Sequence, residues 1–245
     1  MKRKSYKTPT QQVSFLDDTH PVMPVLDVSR CEARIINYET AARMVETYHY
    51  AHRVPGMLYA SIGLIIDEIL AGCIIYSPMF NNIAGSICGE EYIDNVLELS
   101  RLFIHDWAGR NTESYLIGQS FKILQNCYPD KTILVSYADT DKNHLGIIYQ
   151  ATNWIYTGLG SGGVYEYVLP NGQIVTRRGF SRFNPATGKN DYTPTHEELV
   201  TKYGAKKLES KKSLKHRYVY FLGNKRQRKQ LRQALKWPVL PYPKG

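Results

Sequence analysis

Arg101, Ser114, Asp139 and Tyr149 fall at points in the stretch Leu97–Gly158 where an α/β fold gathers chemistry. Arg101 lies in the alternating segment Val96–Ile104. Leu97, Leu99 and Phe103 are expected on its side, and Val96, Glu98, Ser100, Leu102 and Ile104 on the other. A guanidinium among apolar neighbours either pairs with an acid or meets a ligand anion, because an unpartnered buried charge is costly. Ser114 falls in the first turn of a helix that Asn111 or Thr112 begins, after Gly109-Arg110. The free N–H groups of such a turn can hold an anion, although many strand-to-helix turns bind nothing. Asp139 follows the carboxyl end of the short strand Thr132–Ser136, the end where open α/β sheets collect ligands. Asp139 to Asp141 can instead cap the next helix, and Tyr149 on that helix is either a site residue or core.

These residues need a scaffold, and the periodicities supply one. Ala33–Ile36 reads as a first strand. Asn37 then caps a helix carrying Ala41, Met44, Val45 and Tyr48 at helical spacing, which ends near Tyr48-His49-Tyr50 before Pro55-Gly56. Met57–Ile66 and Ile69–Tyr76 form a hairpin about Asp67-Glu68, and the following stretch, with Pro78, Gly85 and Gly89, reads as a loop. After the strand Val96–Ile104, Ile117, Phe121 and Leu124 stripe one helix; a second ends near Trp154 and leads into the strand Ile155–Thr157. Val164–Leu169 and Gln173–Thr176 pair about Pro170-Asn171-Gly172. Thr195 and Glu198 fit a capping box, Lys215–Leu222 is a late strand, and Asn224–Lys236 is a basic helix before a Pro-rich tail. The expected organisation is an N-terminal arm over residues 1–30, a core over 31–176, and a basic insertion with the last core strand and a C-terminal helix and tail over 177–245.

Apolar residues make up 43% of the 245, which excludes a disordered chain, and nineteen tyrosines exceed what such a core normally needs. Cys31, Cys73, Cys88 and Cys127 are far apart with no CxxC pair, so neither a zinc site nor a disulfide framework is indicated, and no metal site is predicted. No apolar h-region follows the basic N-terminus, and no run of about 18 apolar residues occurs. The expectation is a protein of the cytoplasm with no membrane contact. Net charge is +9, and Ala205–Lys236 holds twelve Lys or Arg against one acid, Glu209. Charge runs are often only a solvated face; this one is interleaved with His216, Tyr218 and Tyr220 and flanked by Trp237, which points to nucleic acid.

The order of elements resembles the GNAT acyltransferase fold, an α/β (α+β) class with a mixed central sheet flanked by helices. YHYAHRVPG at 48–56, ELSRLFI at 98–104, RNTES at 110–114, VSYADT at 135–140 and GIIYQATNWIYTG at 146–158 resemble the Mom DNA-modification proteins of Mu-like bacteriophages. That resemblance implies conversion of adenine to N6-(carbamoylmethyl)adenine in double-stranded phage DNA, inside the host cell cytoplasm, as protection from restriction. It implies catalytic roles for His49, Tyr50, Asp139 and Tyr149, and donor-holding roles for Arg101, Asn111 and Ser114. The turn Gly109–Ser114 has one glycine and an acid, unlike the usual GNAT pyrophosphate cradle, so the donor stays open between acyl-CoA and glycyl-tRNA. Two other readings share these residues: an N-acyltransferase for a protein or small-molecule amine, and a non-catalytic DNA-binding phage protein.

Overall fold

The side chain of Asn37 accepts the Thr40 N–H at 2.8 Å, and this cap starts helix α1 (Tyr38–Tyr48) where the sequence placed it. The computed structural model describes residues 25–140, 143–160, 166–180, 182–184, 189–208 and 214–244. The arm before Val25 lies outside the described residues, as do Lys211 and Lys212 of the basic run. Strand β1 (Cys31–Ile35) precedes α1, and β2 (Ala60–Ile66), β3 (Ile69–Pro78), α2 (Asn81–Cys88), β4 (Val96–Ile104), α3 (Thr112–Cys127), β5 (Ile133–Asp139), α4 (Ile147–Ala151) and β6 (Ile155–Gly160) follow. Then come β7 (Glu166–Val168), β8 (Ile174–Thr176), β9 (Arg182–Asn184), β10 (Lys189–Tyr192), α5 (His196–Tyr203), β11 (Lys206–Lys207), β12 (Lys215–Phe221) and α6 (Lys225–Ala234).

Two compact units result. The first comprises Met1–Ala138, Leu145–Gly158 and His216–Gly245. Its sheet has the order β1-β2-β3-β4-β5-β12-β6, with β1 to β4 antiparallel in succession and β4 parallel to β5. This is the mixed central sheet that the sequence predicted, flanked by helices on both faces. On one face α1 packs Ala41, Met44 and Val45 against Ile65, Cys73 and Ile75, while α2 and α6 pack Ile87 and Leu231 with Val135 and Val219. On the other, α3 and α4 bring Leu116, Leu124 and Tyr149 onto Tyr76, Leu99, Leu134 and Tyr218. Each large side chain so buried contributes about 1.5–3 kcal/mol.

The second unit comprises Asp139–His144 and Leu159–Lys215. Its three-stranded sheet has the order β11-β7-β8, beside a separate β9–β10 pair. Tyr167 and Leu199 are fully buried at its core, and the capping box predicted from Thr195 and Glu198 starts α5.

Two expectations are corrected, and one helix start carries a cap not anticipated. The stretch after β3 is not a loop: Ala84, Ile87 and Cys88 bury one side of a short helix, α2. Gly85 lies within it, with the flexible Glu90 carboxylate resting over its Cα. The helix carrying Tyr149 begins only at Ile147, after Gly146 in the left-handed region at φ 69°, so Asp139 does not cap it. Finally, Asn224 and Gln227 form a capping box at the start of α6 that sequence reading passed over.

Candidate active site

Two departures from regular pairing open the sheet beside Arg101. Ile75 pairs with Arg101 and Tyr76 with Leu99, so Ser100 is the extra residue of a β-bulge. Its hydroxyl reaches the Ile75 carbonyl at 3.1 Å and lies 2.9 Å from the Ser77 hydroxyl. A bulge shifts the alternation by one residue. Arg101 therefore shares a face with Glu98 and Phe103, on the α1 side, while Leu97, Leu99, Leu102 and Ile104 pack on the α3 side. This overturns the expectation that Arg101 lies among Leu97 and Leu99. The second departure is that β4 and β5 pair only as far as Leu99 with Ser136, although both strands run on.

His49 follows α1 as its C-cap and is 7% exposed. Its Nδ1 accepts the Ala51 N–H at 3.0 Å, which leaves Nε2 to carry the proton of the neutral ring. Burial first, then the nearby Arg101 guanidinium and the His52 side chain, push its pKa down to about 4. At neutral pH His49 is thus a neutral ring offering an N–H. Tyr50 stacks on it at 4.3 Å between centroids and is 59% exposed, a flat aromatic surface turned to solvent.

The half-buried Arg101 guanidinium donates from Nε to the Arg53 carbonyl at 3.0 Å and from Nη1 to the Ser100 carbonyl at 2.5 Å. Burial lowers its pKa, while Tyr50 and Glu98 favour its charge and Arg53 opposes it. Tyr149 is buried behind the point where β4 and β5 part. Its hydroxyl lies 2.7 Å from Ser136 Oγ, which in turn lies 3.0 Å from the Leu99 carbonyl. Ser136 has one hydroxyl proton to give, to the Tyr149 oxygen or to the Leu99 carbonyl. Burial pushes the Tyr149 pKa up to about 12, opposed by the Ser136 hydrogen bond and reinforced by Tyr50 and Glu98. His49 and Tyr50 each interact electrostatically with Arg101 and stack on one another, and Tyr149 interacts with Tyr50.

The other sequence candidates are placed differently. Asn111 is the N-cap of α3 but is left-handed at φ 73°, and its side chain makes no capping bond; the Ser114 hydroxyl donates to its carbonyl at 2.9 Å. Asp139 ends β5 and belongs to the second unit, where Lys215 Nζ lies 3.9 Å from its carboxylate. Among the described residues no three His, Cys, Asp or Glu side chains cluster as metal ligands do.

Glu98 and Arg217 went unrecognised as site residues. Both face Tyr137 electrostatically, on the sheet face that also holds Arg101. The signal for Glu98 is the phase slip between the apolar pairs Leu97, Leu99 and Leu102, Ile104, which marks Ser100 as inserted.

A sequence profile described as the Mom protein family matches residues 30–244. The chain belongs to the Mom family. The methylcarbamoylase mom of Escherichia phage Mu is 27% identical over 205 residues, covering 83% of this chain and 80% of that protein. Among solved structures, Arabidopsis thaliana NAA60 in complex with a bisubstrate analogue matches with TM-score 0.46 and 13% identity, over 79% of this chain and 98% of that one. Spermidine N-acetyltransferase from Vibrio cholerae matches with TM-score 0.43 and 8% identity, over 79% and 94%. Membership in the Mom family, expected from five sequence blocks, is borne out across nearly the whole chain.

Proposed function

We infer that this Mom-family chain is a transferase acting on phage DNA in the host cytoplasm, converting adenine to N6-(carbamoylmethyl)adenine and so shielding the DNA from restriction. The observation that carries this reading is the relationship to the phage Mu methylcarbamoylase over 83% of the chain. The cluster of His49, Tyr50, Arg101 and Tyr149 at the parting of β4 and β5 supports it.

Adenine N6 is a poor nucleophile because its lone pair is delocalised into the ring, so a base must take a proton as the new bond forms. Asp139 has that role here. His49 is the weaker choice, since its Nδ1 lone pair is engaged by Ala51 and its pKa is about 4. Its Nε2–H is suited to donate to the adenine ring or to a developing oxyanion, beside Arg101. Tyr50 offers a stacking surface for an adenine swung out of the duplex, an extrusion costing about a few kcal/mol. Tyr149, with its proton held at a pKa of about 12, acts as general acid. Helix α6, with Lys225, Arg226, Arg228, Lys229 and Arg232 and no acid, supplies phosphate contacts.

For the donor, glycyl-tRNA fits better than acyl-CoA, because Glu113 in the first turn of α3 places a carboxylate where a pyrophosphate would sit. A glycyl group carries the two carbons and the nitrogen of the product. Simple glycyl transfer to N6 gives an amide isomeric with the carbamoylmethyl group, so fragmentation and not mass alone must identify the nucleoside. The test is mass spectrometry of nucleosides from DNA of cells expressing the chain. Modified adenine should appear with wild type and vanish with Asp139→Ala and Tyr149→Phe, while duplex binding persists. Unmodified adenine with wild type, or modification surviving Asp139→Ala, would overturn the reaction or the base assignment respectively.

A further inference from the structure

Arg217 is a half-buried cation on the last long strand of the sheet. It sits on β12, on the sheet face of Val219, Val135 and Tyr137. Among the described residues no carboxylate lies within ion-pair distance of it, and the groups that favour its charge are the phenols of Tyr137 and Tyr156. Burial is the largest influence on it and weighs against the charge. A desolvated guanidinium held only by neutral groups has capacity for an anion to complete it.

Its fork is also fixed in advance. Nε donates to Thr157 Oγ1 at 3.1 Å and Nη2 to the Thr157 carbonyl at 2.9 Å, while the Thr157 hydroxyl donates back to the Arg217 carbonyl at 3.1 Å. The guanidinium carbon lies 3.9 Å from the centroid of the Trp237 ring. Trp237 is itself held, its indole N–H donating to Ser86 Oγ at 3.1 Å and Ser86 to the Ile83 carbonyl at 2.7 Å. One edge of the guanidinium is thus anchored and one plane covered, which leaves Nη1 uncommitted.

Helix α6, a few residues on, is assembled against its own electrostatics. Lys225 and Arg226 stand in its first turn, where the helix dipole disfavours cations, and Lys225–Lys229 and Arg228–Arg232 are like-charge pairs one turn apart. A helix retained at that cost faces a polyanion.

From these contacts we propose that Arg217 is a phosphate clamp, taking a single phosphodiester of the DNA beside the α6 contacts. Lying on the same face as Glu98 and Arg101, with Tyr137 between it and Glu98 in electrostatic terms, it grips the backbone near the extruded nucleotide. The clamp rests on DNA as the substrate.

The experiment is duplex DNA binding by the full chain across salt concentration, with a paired duplex and one carrying a mismatched adenine. Arg217→Gln should lower the slope of log Kd against log salt by about one and weaken binding about tenfold at moderate salt, more for the mismatch. Arg217→Lys and Thr157→Val keep the charge and should weaken binding with the slope unchanged, and they decide the matter if the Gln variant does not fold. A folded Arg217→Gln variant with wild-type slope overturns the clamp, as does unchanged Kd in both other variants. Wild type without salt-dependent duplex binding overturns the DNA reading itself, which distinguishes the two failures.

Discussion

The two faces of the seven-stranded sheet treat polar atoms in opposite ways. On the α3 face the hydroxyls of the three buried tyrosines Tyr76, Tyr149 and Tyr218 are answered inside the core: Tyr76 lies 2.7 Å from Ser120 Oγ, Tyr149 2.7 Å from Ser136 Oγ, and the Tyr218 hydroxyl donates to the Leu145 carbonyl. On the α1 and α6 face Arg101, Glu98 and Arg217 are half-buried charges, and the two guanidinium groups donate to the carbonyls of Arg53, Ser100 and Thr157 and to the Thr157 hydroxyl. The first arrangement closes on itself and stabilises. The second holds the Arg101 and Arg217 guanidinium groups with no carboxylate in ion-pair distance among the described residues, and on β4 it begins within two residues of the first. On β4, Leu99 belongs to the first and Arg101 to the second.

The contrast is broken most directly by exchanging what each face loses. Trp154 is fully buried between Phe121, Tyr149 and Tyr220, so Trp154→Ala should cost about 3–5 kcal/mol in denaturant unfolding. Arg101→Gln should cost only about 1 kcal/mol, yet lower adenine modification on the order of 100-fold. A variant at Arg101 that loses several kcal/mol and keeps modifying DNA would make this face structural too.

Much of this division was legible beforehand, and the part that was not has a physical cause. Asn37, Thr195 and the stripe of α3 announced their helices because caps and periods are local signals. The partners of Arg101 were misassigned because strict alternation was assumed through Ser100, and a bulge is decided by the neighbouring strand. Read without Ser100, the segment alternates perfectly. The helix α2 was missed because Pro78, Gly85 and Gly89 suggest a loop, while its stability comes from Ile87 packing on a sheet that forms from distant sequence. Arg217 was seen only as one charge in a run, since its carboxylate-free setting depends on Thr157 and Trp237.

His49 sharpens the comparison through pH. Its folded pKa is about 4 against an ordinary 6.5, so between those values the unfolded chain binds a proton that the folded chain does not. Stability is therefore full above about pH 6.5 and falls as the pH drops toward 4, by on the order of 2 kcal/mol. His49→Asn keeps an acceptor near Nδ1 without the titration and should flatten that part of a denaturant-midpoint profile. An unchanged profile would mean that His49 is solvated and charged in acid, and its proposed role as a neutral donor would fail with it.

The smallest change in stability should come from deleting Ser100. Its removal leaves Glu98 and Arg101 on one face and Leu99 and Leu102 on the other, because the bulge is the sole interruption of that alternation. The lost hydroxyl contacts, at 3.1 Å to Ile75 and 2.9 Å to Ser77, are offset by a more regular ladder, so the net shift should stay within about 1 kcal/mol. Modification should nonetheless fall steeply, since the bend that lets β4 leave β5 after Leu99 would be gone. A deletion variant that folds and modifies adenine like wild type would place the chemistry away from the strand opening, and both Arg101 and Tyr149 would then be read as parts of the core.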